Sequence, residues 1–262
     1  MKHLYLTSLT SSDMEVININ SKTSLYCKAM LYVAHEQYKE AYLIFKHLED
    51  YKKSSLFADI CLQEFSPYAN VQVNGIIKFG SYIQELDQKE PIEWIVLDKQ
   101  EDKMLVVSKK ILDCRKYHNK YEKINWEYSD IRKWLNNDFL NNAFSSEEQT
   151  QILQSKIINE SNPTYKSNSG NKTFDKVFLL SINEANRYFK DEKARRAKGS
   201  NSAKNHNLWI DIYGNGFYWL RSSDDRQYSA VIDLRGDVSD FGHFVGNDRY
   251  GIRPALWIKF ES

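Results

Sequence analysis

Cys114 and His118 have the residue types and the spacing of a nucleophile with its base. On a helix the thiol and the imidazole would face each other across one turn, and they could equally bind a metal ion. No third residue near them in sequence would complete either kind of site. The neighbouring Asp113, Lys116 and Tyr117 are typical of the polar end of a strand. We therefore expect structural roles for both Cys114 and His118.

Aspartates in the C-terminal third could supply oxygen ligands to Ca²⁺. The candidates are Asp224, Asp225, Asp233, Asp237, Asp240 and Asp248. Their spacing does not match an EF-hand loop, and solvated turns also favour acidic residues. Bound calcium is one interpretation of this cluster, and the sequence indicates no other cofactor.

The segment 193–204 is locally basic. Its cationic residues are Lys193, Arg195, Arg196, Lys198 and Lys204. Such a run could contact phosphate groups, although an isolated run of this size usually marks a solvated, flexible segment. We interpret residues 194–207 as a long loop and do not expect nucleic acid as a partner.

The region 209–250 is rich in Tyr, Asn, Asp, Ser and Trp, a composition suited to polar contacts with aromatic anchors. We expect the ligand-facing surface to be built from its loops, centred on Asp211, Tyr213, Asn215, Tyr218, Asp224, Tyr228, Phe241, His243, Asn247 and Tyr250. Alternating apolar residues in the adjacent strands, such as Val231 and Ile252, would form a rigid platform. Roughly a third of the aromatic side chains should lie in the core instead.

Composition limits the class of protein. Lys and Arg number 36 against 35 for Asp and Glu, so the net charge of +1 provides no global attraction to nucleic acid or to an anionic membrane. No apolar stretch reaches the roughly 18 residues of a membrane span, and the first residues do not match a secretory signal. We expect a cytoplasmic protein with three reduced, mostly buried thiols, Cys27, Cys61 and Cys114.

Residues 23–65 have the apolar spacing of helices, and residues 38–54 resemble one tetratricopeptide-type or Sel1-type repeat. After Ser66-Pro67 the apolar period becomes alternating, as in strands. We therefore predict a small all-α helical-hairpin segment over residues 1–68 and a separate domain over residues 69–262.

The larger domain is predicted to be α+β, because strand patterns occur at both ends and helix patterns lie between them. Ser145 and Ser181 each begin a capping box. The tripeptide 235–237, Arg-Gly-Asp, is expected to form a hairpin turn. The two ends of the domain should meet in one mixed, mainly antiparallel sheet. We also expect four core residues around the first helix, namely Trp126, Ile131, Trp134 and Leu135.

Three blocks of this domain are distinctive, namely residues 91–98, residues 126–136, and the pair 219–222 with 251–256. Together they resemble the bacterial domain-of-unknown-function family 6273. The resemblance covers residues 73–260 and implies a C-type-lectin-like fold, shared with the formylglycine-generating enzymes. Those enzymes use paired cysteines, and no Cys follows Cys114 here. Arg221 and Arg253, in the last pair of blocks, are expected to donate hydrogen bonds to backbone carbonyls.

The function that these observations favour is a non-enzymatic module that recognises a protein or a small polar ligand on a C-type-lectin-like scaffold. A special form would be a target protein diversified by a retroelement. The alternative is an enzyme, either a relative of the formylglycine-generating oxidases or a hydrolase with an unrecognised site. A deep pocket with two ionisable side chains of strongly shifted pKa would favour the enzyme.

Overall fold

The computed structural model describes residues 21–85, 88–166, 169–223 and 227–260. These residues form two compact units, one within residues 21–70 and one over Val71–Phe260. In the described part of the chain, no helix is both long enough and apolar enough to cross a lipid bilayer.

The smaller unit contains three helices, α1 (Lys22–Ala34), α2 (Tyr38–Leu48) and α3 (Ser54–Phe65). The side chain of Ser21 caps α1 by accepting a hydrogen bond from the backbone N–H of Ser24. Apolar residues at helical spacing bury one face of each helix. Their shared core consists of Ala29, Ala41, Phe45, Leu48, Ala58 and Cys61.

The larger unit contains twelve described strands. They are β1 (Ile76–Glu85), β2 (Gln88–Lys99), β3 (Lys103–Ser108), β4 (Asp113–Cys114), β5 (Ser155–Ile157), β6 (Thr173–Asp175), β7 (Val177–Phe178), β8 (Tyr218–Ser223), β9 (Tyr228–Ile232), β10 (Val238–Phe244), β11 (Gly251–Ile252) and β12 (Ala255–Lys259). One sheet has the order β1-β2-β3-β12-β7, and the other has the order β10-β9-β8-β11-β4. Strands β5 and β6 form a separate pair. The β8–β11 pairing is parallel, whereas the remaining pairings are antiparallel.

The central strand of each sheet is deeply buried. Nearly every residue of β3 and every residue of β8 is buried. Both faces of such a strand pack against other elements, which explains the apolar run of β3. Strand β8 also buries the polar side chains of Arg221, Ser222 and Ser223. The domain is therefore α+β, as predicted.

The two ends of the domain meet in one antiparallel sheet as predicted, because β12 pairs with β3. The larger unit nevertheless has two main sheets, and the chain passes from one to the other at Arg253-Pro254. Residues 251–260 form two strands, β11 and β12, which belong to different sheets. Proline cannot donate a ladder hydrogen bond, so a regular strand cannot continue unbroken through this point. The carbonyl of Pro254 instead accepts a hydrogen bond from the N–H of Ser108 at 2.9 Å.

The helices of the larger unit are short. They are α4 (Asp130–Trp134), α5 (Leu140–Ala143), α6 (Ser146–Gln151), α7 (Ile182–Tyr188), α8 (Glu192–Arg195) and α9 (Asn201–Asn205), with a wide π turn over Leu135–Phe139 between α4 and α5. The capping boxes at Ser145 and Ser181 are confirmed. Helix α6 ends at Gln151, and the next residue, Ile152, pairs with Ile258 of β12. Burial of this β-branched side chain beside the sheet outweighs one further helical turn.

Three of the four core residues predicted around α4 are confirmed, since Trp126, Ile131 and Leu135 are at most 1 % exposed. Trp134 is only half-buried, so that part of the prediction is wrong. Its ring lies at the edge of the apolar face, where the guanidinium of Arg115 covers it at 4.1 Å from the ring centroid.

Candidate functional site

A cavity of about 730 Å³ in the larger unit has a strongly basic lining. The lining residues are Glu93, Ile95, Lys109, Lys110, Lys193, Arg196, Ala197, Lys198, Tyr213 and Asn215. Five of these side chains are cationic and one is a carboxylate, which gives the lining a net charge of +4. The whole chain carries only +1. Positive charge is therefore concentrated at this cavity.

Backbone hydrogen bonds bring the basic residues together from distant parts of the sequence. The N–H of Lys109 donates to the carbonyl of Glu93 at 2.8 Å, which fixes the end of β3 beside β2. The N–H of Ile111 then donates to the carbonyl of Lys198 at 2.9 Å. This bond places the Lys109-Lys110 pair next to the segment that carries Lys198.

The loop over residues 211–215 closes another side of the cavity. Asp211 shapes this loop, because its Oδ1 accepts hydrogen bonds from the N–H groups of Tyr213 and Asn215, both at 2.8 Å. Although burial acts to raise the pKa of Asp211, the hydrogen bonds from Asn215 and Tyr213 lower it overall. The carbonyl of Gly214 accepts from the N–H of Gly199 at 3.0 Å. Asp211 thus holds the loop in place.

The hairpin turn between β9 and β10 holds the basic segment. Arg195 Nε donates to the carbonyl of Gly236 at 2.8 Å, and Arg196 Nε donates to the carbonyl of Arg235 at 2.8 Å. The turn expected at residues 235–237 is therefore confirmed. The interpretation of residues 194–207 as a long flexible loop is wrong, because Arg195 is only 8 % exposed and the short helix α9 follows.

Charge is unevenly compensated within the cavity. Lys109 pairs with Glu93 at 2.9 Å, and Lys110 pairs with Glu85 at 3.6 Å. Within the described ranges, Lys193 and Lys198 form no ion pair. The hydrogen bond from Lys109 holds the pKa of Glu93 below its ordinary value, against a smaller opposing effect of burial. The carboxylate stays ionised, and the lysine charges of residues 193 and 198 remain available to a ligand.

The cationic side chains of this lining are suited to binding an anion. The lining of the cavity, as far as the structure describes it, contains no His and no Cys. Its single carboxylate, Glu93, is held in the ionised form, which makes it a poor general acid. Ammonium and guanidinium groups on an ordered backbone can instead bind an anion with little reorganisation.

The residues expected to form the ligand-facing surface are divided by the structure. Tyr213, which is 71 % exposed, and Asn215 line the cavity. Tyr218 and Tyr250 are at most 2 % exposed, so neither can face a ligand. The strand pattern of β8 buries Tyr218, whose hydroxyl donates to the carbonyl of Arg195 at 2.7 Å. Asp224 lies outside the described residues.

His243 and Tyr250 form a separate aromatic contact, with 2.6 Å between Tyr250 Oη and His243 Nδ1. Both rings also pack against Phe217. Burial lowers the pKa of His243, and Asp233 partly opposes that effect. The neutral imidazole can therefore accept the tyrosine hydrogen bond, which gives His243 a packing role.

The remaining expected residues do not line the cavity. Phe241 and Tyr228 are 67 % and 39 % exposed, and the ring of Phe241 packs edge-on against that of Tyr165. Asn247 Oδ1 accepts a hydrogen bond from the N–H of Arg249 at 2.9 Å, which stabilises a turn. Tyr228 begins β9 and Asn247 lies in a turn, whereas Phe241 lies inside β10 rather than on a loop.

Sequence reasoning missed Glu93, Lys109 and Lys110. A signal was present, because Lys109-Lys110 closely follows the apolar run 104–107, and a short polar turn separates that run from residues 92–98 in the pattern of a hairpin. The hairpin register places Glu93 near Lys109. The approach of Lys198 to this pair depends on tertiary contacts that no local pattern encodes.

Cys114 and His118 have different hydrogen-bond partners. The thiol of Cys114 donates to the carbonyl of Asp248 at 3.1 Å, and burial raises its pKa to about 12. His118 Nε2 lies 3.0 Å from Glu122 Oε1. A thiol that stays protonated cannot serve as a nucleophile at neutral pH.

The candidate calcium ligands serve as turn residues where the structure describes them. Asp233 Oδ1 accepts hydrogen bonds from the N–H groups of Arg235 and Asp237 at 2.8 and 2.9 Å. Asp240 hydrogen-bonds with the hydroxyl of Thr164. Outside the masked positions, which include Asp224 and Asp225, no three His, Cys, Asp or Glu residues are grouped as a metal site would require.

The prediction that Arg221 and Arg253 donate hydrogen bonds to backbone carbonyls is confirmed. Arg221 Nη1 donates to the carbonyl of Leu179 at 2.8 Å, and Arg253 Nε donates to the carbonyl of Ser108 at 2.9 Å. Arg221 also pairs with Glu184 beside a second, smaller cavity of about 300 Å³. Because Glu184 already neutralises Arg221, this second cavity has no comparable excess of charge.

Comparison with known proteins gives a family but no relative of known structure. No curated protein matches the chain. No solved structure matches it. A family match covers residues 101–260, so two of the three sequence blocks lie inside it and the block 91–98 lies before it. The match spans more than half of the sequence, and the chain belongs to the family described as Domain of unknown function (DUF6273).

Proposed function

We propose that the larger unit is a non-enzymatic recognition module that binds a small anionic ligand in the basic cavity. The observation that carries this proposal is the net charge of +4 on the cavity lining in a chain whose total charge is +1. A cavity lined by one sign of charge concentrates ligands of the opposite sign and accelerates their association.

The ordered backbone of the cavity supports the same function. Lys198 and Tyr213 lie on segments joined by the hydrogen bond from Gly199 N–H to Gly214 O at 3.0 Å. Lys193 and Lys198 form no ion pair within the described residues, so a ligand need not displace an internal partner. Binding to a preorganised site loses less free energy to ordering of the protein.

The scaffold in this proposal is C-type-lectin-like, with the ligand held by loops on two sheets. Residues 1–68 would form a tetratricopeptide-type or Sel1-type segment that docks a protein partner. The setting would be the bacterial cytoplasm. A retroelement-diversified target protein is the special form of this proposal, and a neighbouring reverse transcriptase gene with a template repeat would identify it.

An enzyme is the alternative function. A formylglycine-generating oxidase chemistry lacks support, because Cys114 is buried with a pKa raised to about 12. A hydrolase is favoured by one observation outside the cavity. His206 Nδ1 lies 3.1 Å from Asp113 Oδ1, and Tyr82 also donates to Asp113 at 2.9 Å. A buried carboxylate that orients an exposed imidazole is the arrangement of a general base.

The proposal is tested by equilibrium dialysis of the full chain against tripolyphosphate and against citrate at low ionic strength. EDTA is included, because the proposed binding needs no calcium or other metal ion. We expect binding that weakens with added salt and returns both probes chemically unchanged. The double variant Lys193→Ala/Lys198→Ala should lose most of the affinity for both probes. Lys172→Ala, an exposed lysine that does not line the cavity, is the control.

Three results would contradict the proposal. The chain could bind neither probe. The control could lose as much affinity as the cavity variants, which would indicate a general charge effect. The wild type could hydrolyse tripolyphosphate while the His206→Ala variant leaves it intact. That result would support the hydrolase instead.

A further inference from the structure

We infer that the ligand of the basic cavity is a nucleoside di- or triphosphate, with its phosphates among the cationic side chains and its base against Tyr213. This inference rests on the proposed function and names the chemical class of the ligand. It follows from the density of charge, the geometry of Arg196 and the exposure of Tyr213.

Charge density favours a chain of phosphates. The lining has a net charge of +4 within about 730 Å³. A terminal phosphate carries roughly −1.5 to −2 charges near pH 7, and each further phosphate adds about one more. A triphosphate therefore supplies about four negative charges in a compact chain, which matches the lining. A single carboxylate or phosphate would leave much of this charge uncompensated.

Arg196 is positioned to bind a phosphate through the outer edge of its guanidinium. Its Nε is already bonded to the carbonyl of Arg235 at 2.8 Å, which limits the orientation of the guanidinium plane. The two terminal nitrogens make no hydrogen bond to another described residue. A planar fork with two adjacent donors matches two oxygens of a phosphate, and the lysines add point charges around it.

Tyr213 offers a surface for a planar ring beside the cations. Its side chain is 71 % exposed, although its backbone N–H is fixed by Asp211 at 2.8 Å. Ile95, which is half-buried, adds an apolar contact to the same cavity. An exposed tyrosine on a fixed backbone can stack on any nucleobase at small entropic cost.

The distribution of charge also distinguishes a nucleotide from a long nucleic acid. A chain of net charge +1 whose cavity carries +4 has a net charge of −3 everywhere else. Affinity for a polyanion requires an extended row of cations along its backbone. A ligand confined to the cavity avoids the negative remainder of the protein.

Isothermal titration of the full chain in EDTA, with five probes, tests this inference. The probes are adenosine triphosphate, guanosine triphosphate, tripolyphosphate, citrate and adenosine. We expect both nucleotides to bind most tightly, tripolyphosphate to bind about tenfold more weakly because it lacks a base to stack, and adenosine to show no binding. Citrate should bind more weakly than tripolyphosphate.

Matched variants locate the contacts. Lys198→Ala should weaken nucleotide binding about tenfold or more, as expected for a charge-assisted contact, whereas Lys172→Ala should not. Tyr213→Ala should reduce the affinity for adenosine triphosphate to that for tripolyphosphate, and Tyr128→Ala, equally an exposed tyrosine outside the cavity, should have no effect. Glu93→Gln removes the only carboxylate of the described lining and should tighten the binding of both adenosine triphosphate and tripolyphosphate.

The outcomes separate this inference from the proposed function. If citrate binds as tightly as the nucleotides, the phosphate assignment is overturned while anion recognition stands. If tripolyphosphate binds as tightly as the nucleotides and Tyr213→Ala changes no affinity, the assignment of a nucleoside to the ligand is overturned. If no anionic probe binds, both proposals fail. Thermal unfolding of each variant establishes that a loss of binding is not a loss of folded protein.

Discussion

Tyr218 and Arg253 share one backbone acceptor in the interior of the larger unit. The hydroxyl of Tyr218 donates to the carbonyl of Arg195 at 2.7 Å, and Arg253 Nη1 donates to the same carbonyl at 2.9 Å. Arg253 Nη1 is also 3.0 Å from the Tyr218 hydroxyl. Arg253 lies where the chain passes from one sheet to the other, so this triangle joins both sheets to the basic segment.

The substitution Tyr218→Phe should destabilise the protein by about 1–3 kcal/mol, because it leaves the buried Arg195 carbonyl and Arg253 with one partner fewer. Burial raises the pKa of Tyr218, while Arg253 opposes this, so the hydroxyl is a neutral donor at pH 7. Urea unfolding measures the change. Tyr213→Phe, an exposed tyrosine, is the control and should change the free energy of unfolding by less than about 0.5 kcal/mol. Equal effects of the two substitutions would show that the triangle contributes no stability.

The two tryptophans near α4 should differ in their contribution to stability. Trp126 is fully buried and donates from Nε1 to Asp175 at 2.9 Å, so Trp126→Ala should cost about 3–5 kcal/mol. Trp134 is half-buried and covered by Arg115, so Trp134→Ala should cost only about 1–2 kcal/mol. Thermal or urea unfolding of both variants compares them. A larger loss for Trp134→Ala than for Trp126→Ala would contradict the observed burial.

Stability should decrease in mild acid through His243. Burial lowers the pKa of His243 below its ordinary value of 6.5, with Asp233 opposing. The unfolded chain therefore takes up a proton on this ring at a higher pH than the folded chain does. The neutral ring stabilises the fold fully above pH 6.5, and this contribution is lost as the pH falls below 6.5 toward the lowered pKa.

The variant His243→Gln keeps a hydrogen-bond acceptor for Tyr250 but cannot be protonated in this range. The difference in unfolding free energy between wild type and variant should shrink from pH 7.5 to pH 5.5, roughly the range in which an ordinary histidine titrates. The difference cancels the contributions of the other histidines. A difference that stays constant over this range would exclude His243 as the titrating group.

Local chemistry made part of this structure predictable from sequence. Ser145 and Ser181 cap helices through contacts only three residues away, and the turn at residues 235–237 needs only a glycine between polar neighbours. Lys109 and Lys198 meet through one backbone bond between distant segments. No periodic pattern in either segment indicates that contact.

Two errors have one physical origin, which is burial that a local pattern does not reveal. Arg195 was assigned to a flexible basic run, yet its guanidinium is buried against the carbonyl of Gly236. The composition of the region 209–250 places Tyr218 on the ligand-facing surface, yet the strand buries it against Arg253. In both cases a polar group found a tertiary partner inside the protein, and burial therefore carried no large penalty.

The turn glycine Gly236 should control both stability and anion binding. Its φ is +89°, and an added Cβ would lie 1.9 Å from the carbonyl oxygen of Glu192. Gly214 has a similar φ of +83°, but a Cβ there would meet nothing within 4 Å. Gly214→Ala therefore isolates the cost of the backbone conformation, about 1–2 kcal/mol. Gly236→Ala adds a steric overlap with the backbone, which should cost about 1–3 kcal/mol more.

The same overlap should displace the basic segment. Relieving it moves the turn away from Glu192, which strains the bonds that Arg195 and Arg196 make to the carbonyls of Gly236 and Arg235. Gly236→Ala should then weaken tripolyphosphate binding several-fold at a temperature where the variant remains folded, because a cation of the cavity has shifted. Gly242→Ala also places a Cβ against a backbone carbonyl, 2.5 Å from that of Ser229 at a φ of +67°. Because Gly242 does not line the cavity, this variant should retain tripolyphosphate binding. If Gly236→Ala is destabilised as expected but binds tripolyphosphate as tightly as the wild type, the hairpin turn does not position the cations of the cavity.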